Sequence, residues 1–317
     1  MRYIRQEILK ELGKESQDKL LKSTVTIIGI GAIGTKVLDI LARAGIGKIR
    51  IIDRDIVEIN NLQRQNLFDE EDLGKPKVAA AKEKIAKINS EIVIEEKLID
   101  LDYDNTSLLN SNLILDCTDN IYTRFLINEY ARKNQIPWIY ASVIGTKGMT
   151  LNITPKTPCF SCIFEEPTEP LDTCDTAGVI NTIPHLIAAI QATEAIKILT
   201  NKEYSKDLIH YDLWNNEITK IKVKKSKKCN VCNGVYHYLN GKKSNGEVKV
   251  CGSCNYQIKI DNIDMASLFE KLSKLNNIKT NDDCLILNDV IFFKSGRALV
   301  RAKTKSKAKT ILSKYIG

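Results

Sequence analysis

The stretch from Thr24 to Gly45 constrains this chain more than any other. An apolar run, TVTII, breaks into the glycine turn GIGAIG and resumes as TKVLDILARA, a helical pattern closed by Gly45. Gly29, Gly31 and Gly34 thus form G-x-G-x-x-G between a strand and a helix. Glycines at this spacing let the backbone approach a phosphate, which then sits at the helix N-terminus. Strand and helix patterns keep alternating to Val143: KIRIIDRD, KVAAAKEKIAKIN, EIVIEEKLI, SNLILDCTDN, TRFLINEYARKNQ and IPWIYASV. Such alternation predicts an α/β fold, a doubly wound and mainly parallel sheet with helices on both faces.

Other elements flank this core. Residues up to Lys22 read as helical, with Ile4, Ile8 and Leu12 at helical spacing. GMTLNITP and DLIHYDLWNNEITKIKV read as an antiparallel extension, separated by a long helix from about Ile183 to Leu199. After Cys232 the sequence turns basic and turn-rich. DMASLFEKLSKLN then reads as a helix, DCLILNDVIFFKSGRALVRA as a hairpin turning at Ser295–Gly296, and the end of the chain as another helix. We expect a first domain over 1–234 and a small basic α+β domain over 235–317. Charge divides at the same place. From Val235 onward there are 15 Lys/Arg against 7 Asp/Glu, while the preceding residues balance at 32 of each, so the whole net charge of +8 lies in the last quarter. That excess suits an acidic partner or a solvated face. It lacks the interleaved aromatics of single-strand nucleic-acid binders, so nucleic acid is not an expected partner. No apolar run reaches membrane-spanning length and the N-terminus does not read as a signal peptide, so the expected location is the cytoplasm.

The glycine turn alone says only "nucleotide". Asp53, 19 residues after Gly34 at the end of the second strand, stands where a carboxylate can hold a ribose. Arg64 and Lys77 follow within IVEINNLQRQN and GKPKV. A triphosphate needs more cations than a dinucleotide pyrophosphate, which favours ATP over NAD. Asp119, in CTDN after an apolar strand, has the oxygen chemistry of a Mg²⁺ ligand, or is a helix N-cap. Two other functions fit parts of the pattern: a NAD-dependent oxidoreductase, which leaves Arg64 and Lys77 without a task, and a zinc-containing module binding nucleic acid through the basic tail.

Taken together, RYIRQ, GIGAIG, Asp53, NLQRQ, GKPK and CTDN resemble the ThiF/MoeB/HesA family, the ubiquitin-activating-type adenylyltransferases. The resemblance covers roughly residues 1–234. It implies that Gly29, Gly31 and Gly34 cradle ATP and that Asp53 holds the ribose. Asn61, Arg64, Lys77 and, from the neighbouring subunit of a homodimer, Arg5 would stabilise the phosphates, with Asp119 on Mg²⁺. The implied reaction adenylates the C-terminal carboxylate of a ubiquitin-like or sulfur-carrier protein ending in Gly-Gly. Thiazole synthesis, molybdopterin synthesis, tRNA thiolation and protein modification all draw on this chemistry, and the sequence does not choose among them.

Six of the nine cysteines fall in three C-x-x-C pairs. Cys159 with Cys162 and Cys229 with Cys232 can close a tetrahedral four-cysteine zinc site, and the family carries the same two pairs. Sixty-six residues separate them, so the ion would pin distant segments together. Cys251 and Cys254 compete for that site, bind a metal of their own or stay unmetallated. Cys174 falls in the segment matching the family's crossover loop, about 159–182, where the resemblance offers it as a nucleophile for thioester or persulfide chemistry or as an idle loop residue. Cys117 and Cys284 sit in apolar strands as packing residues, and His185, His210 and His237 lack metal-ligand spacing.

Overall fold

The computed structural model describes residues 2–167, 177–243, 255–260, 264–274, 278–280, 284–287, 289–294 and 296–316. The chain divides into two compact units. Among the described residues, the first comprises 2–167 and 177–243, and the second those from 255 onward.

Eight strands build the first unit: β1 (Thr24–Ile28), β2 (Lys48–Asp53), β3 (Val93–Leu98), β4 (Leu113–Asp116), β5 (Trp138–Ile144), β6 (Lys147–Ile153), β7 (Leu208–Asp212) and β8 (Glu217–Ile221). They form one sheet in the order β3-β2-β1-β4-β5-β6-β7-β8. Pairings from β3 through β5 are parallel, and those from β5 to β8 antiparallel. The expected mainly parallel sheet with an antiparallel extension is therefore present. Strand order reverses direction between β1 and β4, and in open α/β sheets the crevice outside the carboxyl ends at such a switch point is the ligand site.

Helices α1 (Ile4–Glu7), α2 (Gly13–Lys22), α3 (Gly34–Ala44), α4 (Lys77–Ile88), α5 (Ile121–Asn134) and α6 (Thr182–Leu199) accompany the sheet. The helical pattern expected up to Lys22 is broken into α1 and α2. Ile4 and Ile8 are exposed, so helical spacing there did not mean burial. Tyr3 is the anchor instead: a Cβ on Gly45 would meet its ring at 2.6 Å, and its hydroxyl accepts from Asn89 Nδ2 at 2.9 Å.

Two apolar cores lie in this unit. One joins α3, α4 and α6 to β1 and β2 through fully buried Ile27, Val37, Leu41, Ile51, Ile85 and Ile187. The other is aromatic, with Phe125, Trp138, Tyr140, Phe160 and Tyr238 packed around Cys159 and Cys229. Burial of these side chains contributes about 1.5–3 kcal/mol each. Tyr236, Tyr238 and Leu239 belong to this core, and the backbone N–H groups of His237 and Leu239 donate to the Glu129 carboxylate at 2.9 and 2.8 Å. The first unit thus reaches past Val235.

The second unit contains β9 (Asn255–Lys259), β10 (Lys279–Thr280), β11 (Cys284–Leu287), β12 (Val290–Phe293), β13 (Arg297–Arg301), α7 (Met265–Ser273) and α8 (Lys305–Ile316). Its strands form an antiparallel sheet in the order β10-β11-β12-β13-β9 over a core that includes Leu285, Phe292, Val300, Leu272 and Leu312. The expected single hairpin is a three-strand meander, because the chain also turns between Leu287 and Val290. No helix among the described residues is long and apolar enough to cross a membrane.

Candidate nucleotide site and cysteine cluster

The crevice between β1 and β4 is built from backbone outward. Gly29 leaves β1 at φ +86°, and a Cβ there would lie 2.8 Å from the Cys117 carbonyl oxygen. A Cβ on Gly34 would lie 1.9 Å from the Gly29 carbonyl oxygen. Only glycine permits these approaches, so the turn stays flat and the start of α3 opens onto the crevice. Asp53, at the end of β2, fastens this floor to its neighbour: one carboxylate oxygen accepts from Ile30 N at 2.6 Å and the other from Asp55 N at 2.7 Å. Burial, with Asp55 nearby, raises its pKa against the pull of Lys77.

Lys77 opens α4 directly opposite. Ile56 bridges to Pro76, and Lys77 N donates to Asp55 O at 2.9 Å. These bonds deliver the buried Lys77 ammonium to 3.4 Å from the Asp55 carboxylate. Asp53 and Asp119 act on the same ammonium and, with Asp55, hold its pKa up against desolvation. The Arg54 guanidinium meets Asp100 at 2.9 Å and also feels Asp55 and Asp119. Asp55 and Arg54 were missed by sequence reasoning. Their signal was present in the D-R-D spacing after β2, which puts two carboxylates on one strand end.

Asp119 follows β4 on a loop that Arg124 fixes. Buried Asp116 accepts from Arg124 Nε at 3.1 Å and from Thr118 Oγ1 at 2.7 Å, while the other end of the Arg124 guanidinium donates to the Ala141 carbonyl at 3.3 Å. The N-cap alternative for Asp119 does not hold. Asn120 caps α5, its side chain accepting from Tyr122 N and Thr123 N, which leaves the Asp119 carboxylate uncommitted to the helix. Asp119 is solvent-exposed yet ringed by protein, and desolvation with Asp55 raises its pKa. That combination marks a group in the wall of a crevice.

Arg64 stands on the loop after a short 3-10 turn, Ile59–Asn61, and donates to Asn60 O at 2.8 Å. Asn61 is buried and shapes this turn, its Oδ1 accepting from Glu58 N at 3.2 Å. Lys36, on the first turn of α3, reaches the Arg64 carbonyl and ties the loop to the glycine turn. Gly29, Gly31, Gly34, Asp53, Lys77 and Asp119, with Arg64 tied in by Lys36, are therefore brought together along the strand ends. Arg5 is exposed on α1, outside this network. Cys174, Cys251 and Cys254 lie outside the described residues.

The four cysteines of the first two pairs do meet. Cys159 Sγ lies 3.7 Å from Cys162 Sγ and 3.5 Å from those of Cys229 and Cys232, and Cys162 and Cys232 are 3.6 Å apart. All four ligand atoms fall within 4.8 Å of one another. Zinc–sulfur bonds of about 2.3 Å in a tetrahedron place sulfurs ~3.8 Å apart, so the cluster fits that ion. Asn128 sets the turn bearing Cys159: its side chain accepts from Phe160 N at 2.9 Å and donates to Ser161 Oγ at 3.0 Å. Burial and the crowding of the other thiols push the Cys159 thiol up, a condition that a metal taking thiolates would reverse. Cys117 is buried as expected, its thiol 3.4 Å from Gln191 Oε1.

A doubly wound sheet with a charged crevice at its switch point and a four-cysteine clamp defines a nucleotide-binding α/β protein carrying a closed metal-type site. Residues 3–231 match the ThiF family, and the chain belongs to it. It is 33% identical to the sulfur carrier protein ThiS adenylyltransferase of Bacillus subtilis, over 100% of this chain and 99% of that protein, the C-terminal unit included. It is 32% identical to the SAMP-activating enzyme E1 of Haloferax volcanii, over 73% of this chain and 88% of that one. Among solved structures it is similar to E. coli MccB with ATP, at a TM-score of 0.61 and 28% identity, over 69% of this chain and 68% of that one.

Proposed function

We propose that this protein is an ATP-dependent adenylyltransferase that activates the C-terminal glycine carboxylate of a ubiquitin-like or sulfur-carrier protein. The observation that carries the reading is the convergence of a glycine floor, a ribose-type carboxylate, two cationic side chains and Asp119 at the switch point of the sheet. The ThiS adenylyltransferase and SAMP-activating relatives, and the ATP in the MccB structure, support the same chemistry. The carrier carboxylate, already ionised at neutral pH, attacks the α-phosphate; its oxygen bonds to phosphorus as the bond to the pyrophosphate oxygen breaks. No strong base is required. Asp53 would orient the ribose, Arg64 and Lys77 would hold and neutralise the phosphates with Asn61 as a neutral hydrogen-bonding partner, and Asp119 would hold Mg²⁺, which would screen the leaving pyrophosphate.

The working unit in this reading is a homodimer in the cytoplasm, with Arg5 reaching the partner's phosphates. Support comes from α1, where Arg5 is exposed beside Ile4 and Ile8, 47% and 66% exposed on a segment that no core covers. Cys159, Cys162, Cys229 and Cys232 bind a structural zinc. Cys174 is the candidate for a later thioester or persulfide. Incubation with ATP, labelled pyrophosphate and a small carrier ending in Gly-Gly tests the reading. Carrier-dependent exchange of label into ATP is expected; its absence with every such carrier encoded alongside the protein would sink the assignment.

A further inference from the structure

Lys36 is a buried cation at the glycine turn to which the reading above gives no task. It sits on the first turn of α3 and is 2% exposed. Its ammonium donates to Ala32 O at 3.0 Å and to the Arg64 carbonyl, two neutral acceptors for a group with three N–H donors. Among the described residues no carboxylate lies within salt-bridge reach of it, and Arg64, on the facing loop, is the charged group that acts on it. Among the same residues Arg64 forms no salt bridge either; its guanidinium donates to Asn60 O. Lys77, by contrast, has Asp55. The start of α3 adds the positive end of a helix dipole to the same spot.

Buried charges in proteins are paired, and holding a buried ammonium beside a half-exposed guanidinium without a counter-ion is costly. The counter-charge missing here points to a ligand. A second observation agrees. Gln65, beside Arg64 and 3% exposed, presents its Nε2, an N–H donor, as the nearest atom, at 4.0 Å, to a Cβ built on Gly31. The floor at Gly31 is thus uncrowded and lined by an amide N–H donor, which suits an anion, one residue from the carbonyl that holds Lys36.

We propose that Lys36 is a further phosphate-binding cation of the nucleotide site, with the triphosphate as its counter-ion, and that it aligns Arg64 for the same task through the Arg64 carbonyl. The inference rests on the nucleotide reading and extends it to a residue outside the sequence motifs. One consequence separates it from a purely structural staple. Burial and Arg64 push the Lys36 ammonium down to about 8 in the nucleotide-free protein. Above that pH the side chain is neutral and must take up a proton to meet a phosphate, whereas a neutral amine still donates to two carbonyls.

Calorimetric titration of the zinc-loaded protein with MgATP, at pH 7 and pH 9 in buffers of different ionisation enthalpy, tests this. Wild-type affinity should fall by up to about tenfold per pH unit above 8, with proton uptake on binding at pH 9. Lys36→Met should weaken binding at pH 7 by about tenfold or more and abolish the uptake. Lys36→Arg should retain affinity and lose the pH dependence, since guanidinium does not titrate; it decides the matter if the methionine variant fails to fold. Wild-type-like affinity and proton uptake in either variant would overturn the role of Lys36. Failure of the wild type to bind MgATP at either pH would overturn the nucleotide reading and this inference with it.

Discussion

In the cysteine cluster each sulfur lies 3.5–3.7 Å from others, and the turns that carry them are hydrogen-bonded and packed in an aromatic core. Along the rim of the same sheet, Lys36 and Arg64 lie together with no carboxylate in salt-bridge reach among the described residues, and Asp55 acts on Asp119. One region satisfies its reactive groups among themselves, closing a site that leaves no room for substrate. The other is braced by well-made bonds, such as Asp53 to Ile30 N and Arg124 to Asp116, around Lys36 and Arg64, which form no salt bridge among the described residues. The difference teaches how to tell a structural from a reactive site: by where charge is left uncompensated.

The sharpest break in this contrast should come from Cys229→Ser. Opening the cluster should drop bound zinc below one per chain and lower the Tm by roughly 10 °C or more, since structural zinc supplies folding free energy directly. Metal analysis and calorimetry check both. A full complement of zinc with an unchanged Tm would remove the structural role. Arg64→Gln should act on the other region alone. Carrier-dependent pyrophosphate exchange should fall by about a hundredfold to a thousandfold, while Tm and zinc content hold, because among the described residues no ion pair is lost with the guanidinium.

The smallest effect has the most diagnostic sign. Desolvation and Asp55 hold the Asp119 carboxyl above its ordinary range despite nearby Arg124 and Arg54, so folding disfavours its ionised form. This group's contribution to stability therefore declines as pH rises from the ordinary carboxylate value toward the raised one. Asp119→Asn removes that cost and should raise the Tm of the nucleotide-free protein at pH 7 by roughly 1–4 °C, with the gain vanishing in acid. A lower Tm at pH 7 would show that the carboxylate is paired within the protein.

Much of the fold was legible because period and punctuation agree. The run TVTII-GIGAIG-TKVLDILARAG carries strand, turn, helix and a glycine C-cap in order, and the structure places β1, α3 and a left-handed Gly45 there. Misreadings fell where local pattern is uninformative. Ile4 and Ile8 have helical spacing but no core to face, and the helix breaks between Glu7 and Gly13. Asn288–Asp289 is a turn signal inside an apolar stretch, too short by itself to tell a bulge in one strand from a reversal between two.

What the sequence alone determined is the inventory: three glycines, the carboxylates and cations in family order, and two cysteine pairs at a spacing that only metal or long-range closure explains. Tertiary structure decided which of these confront one another. It put Asp55 on Lys77, made Asn120 rather than Asp119 the cap of α5, joined Cys159 to Cys229 across 70 residues, and left Lys36 against Arg64 with no carboxylate in salt-bridge reach among the described residues. The physical reason is that periodicity encodes which face of an element is buried, a local property. Pairing of charges depends on which strand ends the sheet order makes neighbours, and no local pattern records that.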